Sequence, residues 1–541
     1  MRIAANPSMK YVWPVLLVAF GVYGYAALHA RKIATTEETC YNRLTDSFLS
    51  GRLDIPVDAV PEMTSQPYDF DSYWAEIFRQ KLIDYSIYKG KVYPYFSVIP
   101  AVLLYLPYRL LFGDRFTDEA ATLIFCFGAL VWSSLFLAAV REKYYPGASG
   151  WMLFVSAGVL ASANLALVLV RGATIYAVPL AAGLFFMTGA LYFLAGAFAE
   201  KPFSARPLFL GSLFLGLAVG SRPNLMLVAL ALFALIGARL RKEPLGVLRK
   251  AAVSALPFAG CLAVLGFYNF LRFGSFLEPG FTYQIMRFNR FLGVIAYDPS
   301  RFVANAYFYL FQPPTLEPHF PFVTGAYALP AGVHWPAGSY ATGNAVAGLF
   351  SGNPFNYLFF LCPLILLART EGFRAAFSRD GFVAEAAKLI FLYFLGLTLG
   401  AALLEGLKAS PAATEAARFM IRLRDELPPA IPALLILGWV AVRRARGPAP
   451  AETVFPAFEF GLAAACAGMT LLPYLFYMCP ALRHSTEFTT YFILAAALVW
   501  FYFDSRLSAD RGGSWTVRAL GVFLATLSSF FGTAYAIHAL Y

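Results

Sequence analysis

Apolar runs of about 13 to 24 residues recur along the whole chain, and this recurrence constrains the fold more than any motif does. In hydrocarbon a backbone can hydrogen-bond only to itself, so a spanning segment is a helix of about 20 residues or a strand of a closed barrel. Barrel strands alternate apolar and polar residues, whereas these runs are continuous, and the reading is therefore helical. Of the 541 residues 59% are apolar and 13% charged, as expected of a chain solvated mainly by lipid.

The runs predict an all-α polytopic membrane protein of about thirteen spans. They lie at Tyr11 to Leu28, Ala120 to Val140, Trp151 to Val170, Tyr176 to Ala197, Leu208 to Gly220, Pro223 to Ile236 and Ala251 to Leu271. Six more follow at Phe355 to Leu367, Leu389 to Leu404, Ala430 to Val442, Phe455 to Met478, Thr489 to Phe503 and Ala519 to Leu540. A further run, Tyr95 to Phe112, contains Pro100 and Pro107 and reads as a re-entrant or juxtamembrane helix. With it excluded, the basic loops Arg239 to Lys250 and Arg443 to Arg446 both fall inside, as the positive-inside rule requires. The inner segments then carry 21 Lys/Arg against 9 Asp/Glu, the outer ones 21 of each, and Glu459 falls within a span. The net charge of +11 is thus a topology signal, and nucleic acid is not an expected partner. Arg2 and Lys10 before the first apolar run also fit a signal peptide, but that run is long and lacks a small-residue cleavage site. The N-terminus is therefore expected in the cytoplasm.

Five units follow: the first helix (1–28), a long outer loop (29–119), a helical module (120–271), a second long outer loop (272–354) and a C-terminal helical module (355–541). Inner loops are short, so the expected working face is the outer one. In the first loop Tyr41, Leu44 and Phe48 fall at helical spacing, suited to lying on a membrane surface, with Gly51 as the stop. Trp74 to Tyr85 reads as a second amphipathic helix. Tyr88 to Phe96 interleaves aromatics with Lys89 and Lys91, as headgroup zones do. The second loop, rich in proline and carrying Glu278 and Tyr283, is expected to cap a cavity beneath the first. Cys40, Cys126, Cys261, Cys362, Cys466 and Cys479 are scattered, and His29, His319, His334, His484 and His538 show no ligand spacing, so no metal-ligand set is predicted.

Acids beside a bilayer, facing cations and a lipid wall, suit transfer from a lipid-linked phosphate. Glu37, Glu38 and Asp84 are the candidate acids, with Glu37 as the base. Lys91, Arg171 and Arg222 are the candidate phosphate cations, with Tyr88 and Tyr93 beside them. Tyr41, Tyr176, Glu278, Tyr283, Arg418 and Arg483 are candidates for lining the pocket. Each also has a plainer reading. Thr35-Thr36-Glu37-Glu38 fits a helix capping box, Arg171 and Arg222 fit headgroup anchors, the Tyr88 to Phe96 run fits an aromatic belt, and Arg418 and Arg483 fit solvated helix ends.

Glu37-Glu38-Thr39-Cys40-Tyr41-Asn42-Arg43-Leu44, running on to Gly51-Arg52-Leu53-Asp54-Ile55-Pro56, resembles the start of the first periplasmic loop in GT-C membrane glycosyltransferases. The likeness is to the lipid A aminoarabinose transferase and protein O-mannosyltransferase group. Lys91 to Gly113 is similar to their juxtamembrane helix, and Gly216-Leu217-Ala218 before Arg222 to their Gly-Leu-Ala motif, where a lysine stands in place of Arg222. The leading acid is Glu37 where the family usually has Asp. The resemblance implies a polyprenyl-phosphate-linked sugar donor, a lipid, glycan or protein acceptor, and a place in a bacterial inner membrane with the active site facing the periplasm. It fixes no cofactor, although a divalent cation, Mg or Mn, is compatible with the outer acids. A transporter or flippase of a lipid-linked glycan, or a non-catalytic scaffold of the same fold, are the alternative readings.

Overall fold

The computed structural model describes residues 6–30, 39–57, 82, 84–95, 97–199, 202–243, 246–285, 297–325, 327, 329, 333–336, 339, 346, 348–361, 454–506 and 511–538. Glu37, Glu38, Arg418, the predicted spans Leu389 to Leu404 and Ala430 to Val442, and nearly all of the predicted helix Trp74 to Tyr85 lie outside the described residues.

The chain is mostly helical. The helices are α1 (Trp13–Leu28), α2 (Cys40–Leu49), α3 (Leu106–Phe112), α4 (Asp118–Tyr144), α5 (Gly150–Ser162), α6 (Ala166–Arg171), α7 (Ala177–Ala197), α8 (Ala205–Ser221), α9 (Met226–Leu240), α10 (Val247–Phe273), α11 (Phe302–Ala306), α12 (Ala457–Tyr474), α13 (Leu482–Arg506) and α14 (Arg511–His538). Among the described residues eight segments are long and apolar enough to cross a membrane: Asp118–Tyr144, Gly150–Arg171, Ala177–Ala197, Pro223–Leu240, Val247–Phe273, Ala457–Tyr474, Leu482–Arg506 and Ser514–His538. Trp13–Leu28, Ala101–Phe112 and Ala205–Ser221 are shorter apolar helices. This is a multi-pass helical membrane protein.

Local chemistry sets the boundaries. Thr117 accepts the Ala120 N–H at 3.2 Å to start α4, whose first turn carries Asp118 and Glu119 and whose last carries Arg141 and Lys143, each opposing the helix dipole. The predicted span Trp151 to Val170 is broken between α5 and α6. Asn164 accepts the Ala166 N–H at 3.0 Å, and Leu165 sits at φ 64°, which a helix cannot continue through. Helix α7 is buried against α4 and α8, with glycines where the backbones approach: a Cβ on Gly189 would stand 2.5 Å from the Phe214 ring.

Two expectations for the first outer loop are corrected. Tyr41 and Leu44 do not lie on a membrane surface; both are fully buried, with Tyr41 against Tyr105 at 5.2 Å between rings. Helix α2 has Thr39 at its N-cap, four residues beyond the capping-box start predicted at Thr35. The larger correction is a β-hairpin in a mostly helical chain: β1 (Tyr85–Tyr88) pairs antiparallel with β2 (Lys91–Pro94). Lys89 at φ 48° and Gly90 at φ 74° make the two-residue turn that matches strand twist. The predicted helix from Lys91 to Gly113 therefore begins as a strand and becomes helical only at Ile99, ending at Gly113 with φ 70°. A second short pair, β3 (Thr315–Leu316) and β4 (Val323–Thr324), follows α11.

Side-chain bonds sort the helix termini into two ends. Ser8, Arg141, Lys143, Phe198 and Glu459 meet at one. His29, Arg171, Tyr176, Arg222, Tyr474 and Glu487 mark the other, beside the hairpin.

Candidate active site

The hairpin ties the chain after α2 to the segment after α10. Ile55 N–H donates to the Val92 carbonyl at 2.8 Å, joining the chain after α2 to β2. On the other side Asp84 N–H donates to Ile285 at 2.9 Å, Ile285 N–H to Tyr85 at 2.6 Å, and the Ser86 hydroxyl to the Gly280 carbonyl at 2.7 Å. Rings reinforce this second seam. Tyr88 lies 4.6 Å from Tyr283 and 5.8 Å from Phe273, and Tyr93 lies 5.2 Å from Phe273. Arg272, whose guanidinium covers the Tyr268 ring at 4.0 Å, donates to the Pro94 carbonyl at 2.9 Å.

This frame presents Asp84. The residue sits at φ 65°, a left-handed conformation that Asp tolerates better than most, immediately before β1. Its carboxylate accepts the Tyr176 hydroxyl, from the N-cap of α7, and the Gln284 amide at 3.0 Å. Burial pushes its pKa above the usual carboxylate range; the Tyr176 bond, the Arg483 charge and the Gln284 bond oppose that shift without cancelling it. The Arg483 guanidinium lies 4.8 Å over the Tyr176 ring. No carboxylate among the described residues pairs with it.

A second group adjoins the first. At the break between α8 and α9, Arg222 donates from Nε to Glu487 at 2.8 Å and from its terminal nitrogen to the Tyr474 hydroxyl at 2.8 Å. Tyr474 donates to the other Glu487 oxygen, which also accepts the Asn224 amide at 3.1 Å. The His484 ring stacks on Tyr474 at 4.6 Å and 14°, and its Nδ1 is 3.1 Å from the Tyr309 hydroxyl. Tyr95 feels the charges of both Arg222 and Asp84; burial raises its hydroxyl pKa to about 12.

The other candidates fall elsewhere. Arg171 donates to the His29 carbonyl at 3.2 Å. Lys91 is exposed near the Arg52–Asp54 pair, whose atoms are 2.5 Å apart. Glu278 folds onto its own loop, accepting the Gly280 N–H at 2.7 Å and the Thr282 hydroxyl at 2.5 Å. Tyr88, Tyr93 and Tyr283 form the hairpin seam. Tyr41 is buried beside Tyr105, which in turn donates to Asp118 at 2.5 Å. Of the sequence candidates, Asp84, Tyr176, Arg483 and Arg222 are brought together.

Sequence reasoning missed Gln284, Asn224, Tyr474, His484, Tyr309 and Glu487. For Glu487 a signal existed. It stands four residues after Arg483, one helical turn on, but the segment 479–488 reads as a connection ahead of a span at Thr489, whereas α13 starts at Leu482. That shift carries Glu487 inside the bundle, where it is 4% exposed. Among the described residues no three His, Cys, Asp or Glu side chains are grouped as a metal site.

No family model, curated protein or solved structure matches the chain. The class defined by its own residues is a multi-pass helical membrane protein with a buried polar cluster at one end, beside a hairpin to which segments 39–57 and 280–285 both bond.

Proposed function

We propose that the chain is an integral membrane glycosyltransferase that moves a sugar from a polyprenyl-phosphate donor to an acceptor at the outer face of a bacterial inner membrane. The observation that carries this reading is the half-buried Asp84 carboxyl, held by Tyr176 and Gln284 at a helix end, with the Arg483 guanidinium over Tyr176. An acid that keeps its proton to higher pH than usual, beside a cation that no carboxylate among the described residues pairs with, suits a site where a hydroxyl is deprotonated and a phosphate departs.

In this reading the acceptor hydroxyl forms a bond to the anomeric carbon as the bond from that carbon to the phosphate oxygen breaks. The hydroxyl proton passes to a carboxylate, assigned to Glu37, with Glu38 and Asp84 in support. The bonding electrons leave with the polyprenyl phosphate, whose added negative charge Arg483 balances. Arg222, already matched by Glu487, holds α8, α9, α12 and α13 together and shapes the site from behind. The acceptor is a lipid, a glycan or a protein.

The test is transfer in membranes holding the wild-type chain and a labelled polyprenyl-phosphate sugar. Glu37→Gln is expected to lower transfer by about 10²- to 10⁴-fold. Full activity in that variant removes Glu37 as base, and absence of transfer by the wild type from every polyprenyl donor removes the donor class.

A further inference from the structure

We propose that the end of the bundle opposite the hairpin binds the phosphate of an anionic phospholipid, with Arg239 as the central contact. Arg239 stands in the last turn of α9. Its guanidinium lies 6.0 Å from the ring of Phe198, which caps α7, and 5.9 Å from that of Phe458 in the first turn of α12. The two rings meet edge to face at 5.1 Å, so the cation rests on an aromatic shelf.

What the shelf does not supply is a hydrogen-bond acceptor. The Arg239 Nε is buried and has no partner among the described residues. The nearby carboxylates are taken: Glu459 accepts Lys143 at 3.0 Å and Tyr144 at 3.0 Å, and Glu243 accepts the Phe203 N–H at 3.3 Å. A buried guanidinium N–H left unmatched is costly, and a phosphate oxygen suits the guanidinium fork well.

The surroundings favour a lipid over a free anion. Arg241, Lys242 and Arg249 are exposed around the short connection to α10. Val247 and Leu248, at the start of α10, are 79% and 88% exposed, an apolar turn set among cations. Acyl chain against the apolar turn and phosphate against Arg239 match both halves of the surface. This site shares no residue with the polar cluster at the hairpin end, and it stands whether or not the chain is a transferase.

The experiment is lipid retention by the full-length protein purified from mixed micelles of phosphatidylglycerol and phosphatidylcholine in equal amounts, read by mass spectrometry of the intact complex. The wild type is expected to retain phosphatidylglycerol at least about fivefold over phosphatidylcholine, with Arg239→Gln losing about fivefold of that preference. Arg206→Gln, an exposed cation at the start of α8, should keep it, and Arg239→Lys should keep part of it. Equal retention of the two lipids by the wild type overturns the proposal, as does an unchanged preference in Arg239→Gln. Complete displacement of the lipid by an equal concentration of glycerol phosphate also overturns it, by assigning the site to a soluble phosphate.

Discussion

Arg222 and Glu487 are 265 positions apart in sequence and 2.8 Å apart in the fold, joined where the break between α8 and α9 meets the first turns of α13. Glu487 receives Arg222, Asn224 and Tyr474 together, so its charge is matched and its oxygens are bonded. A buried pair of this kind is weak as a source of stability and severe when half of it is removed.

That asymmetry gives the first prediction. Glu487→Ala leaves the Arg222 charge without its carboxylate and should cost about 3–5 kcal/mol. The double variant Arg222→Met/Glu487→Leu should lose clearly less, because no charge is stranded. Thermal unfolding in detergent decides it: equal losses in the two would show that the ion pair is not the organising contact.

Asp84 carries a pH signature. Its folded pKa is raised by burial above an unfolded value of about 4, so its stabilising contribution is complete below that value and is lost as pH rises through the folded one. Asp84→Asn cannot ionise. The melting temperature of wild type minus that of Asp84→Asn should therefore fall as pH rises above the unfolded value of about 4. A difference that is flat or rises with pH contradicts the burial-dominated environment.

Arg483 should act on the donor rather than on the fold. Arg483→Gln is expected to raise the donor KM about 10- to 100-fold, the worth of a charge-assisted hydrogen bond, with a smaller change in kcat. Lysine at this position keeps the charge but not the fork and should recover part of the loss. An unaltered KM in Arg483→Gln moves the phosphate elsewhere.

Gly280 tests the hairpin seam. It sits at φ 106°, and a Cβ there would come within 2.6 Å of the Ser86 hydroxyl and 2.9 Å of the Phe273 ring. Gly280→Ala should destabilise by more than the roughly 1 kcal/mol expected when Ser86→Ala removes the single Ser86–Gly280 bond. Hydrogen exchange at Tyr85 and Ile285 should speed up in the glycine variant, and unchanged protection there would separate the seam from Gly280.

Much of this was legible in the sequence for a simple reason: continuous apolar runs must be helices in lipid, and α4, α7 and α10 lie where those runs put them. The hairpin was not. Tyr85-Ser86-Ile87-Tyr88-Lys89-Gly90-Lys91-Val92-Tyr93 alternates as a strand pair does, yet lysines and tyrosines at a membrane edge give the same alternation as an interfacial belt. Lys-Gly is also a weaker turn signal than Asn-Gly. Asp84 and Arg222 were visible as charges beside apolar runs. Their partners were not, because Gln284 and Glu487 are contributed from 200 and 265 positions away, and no local pattern encodes that distance.

The central claim concerns Asp84 and a phosphate-linked sugar, and single-turnover transfer by the purified protein tests it most directly. Wild type mixed with a labelled polyprenyl-phosphate sugar and acceptor should form a glycosidic bond and release polyprenyl phosphate. Asp84→Asn should slow that step at least about a hundredfold while donor binding changes only a few-fold. Equal rates in the two proteins, or no product from the wild type with any such donor, would contradict the account.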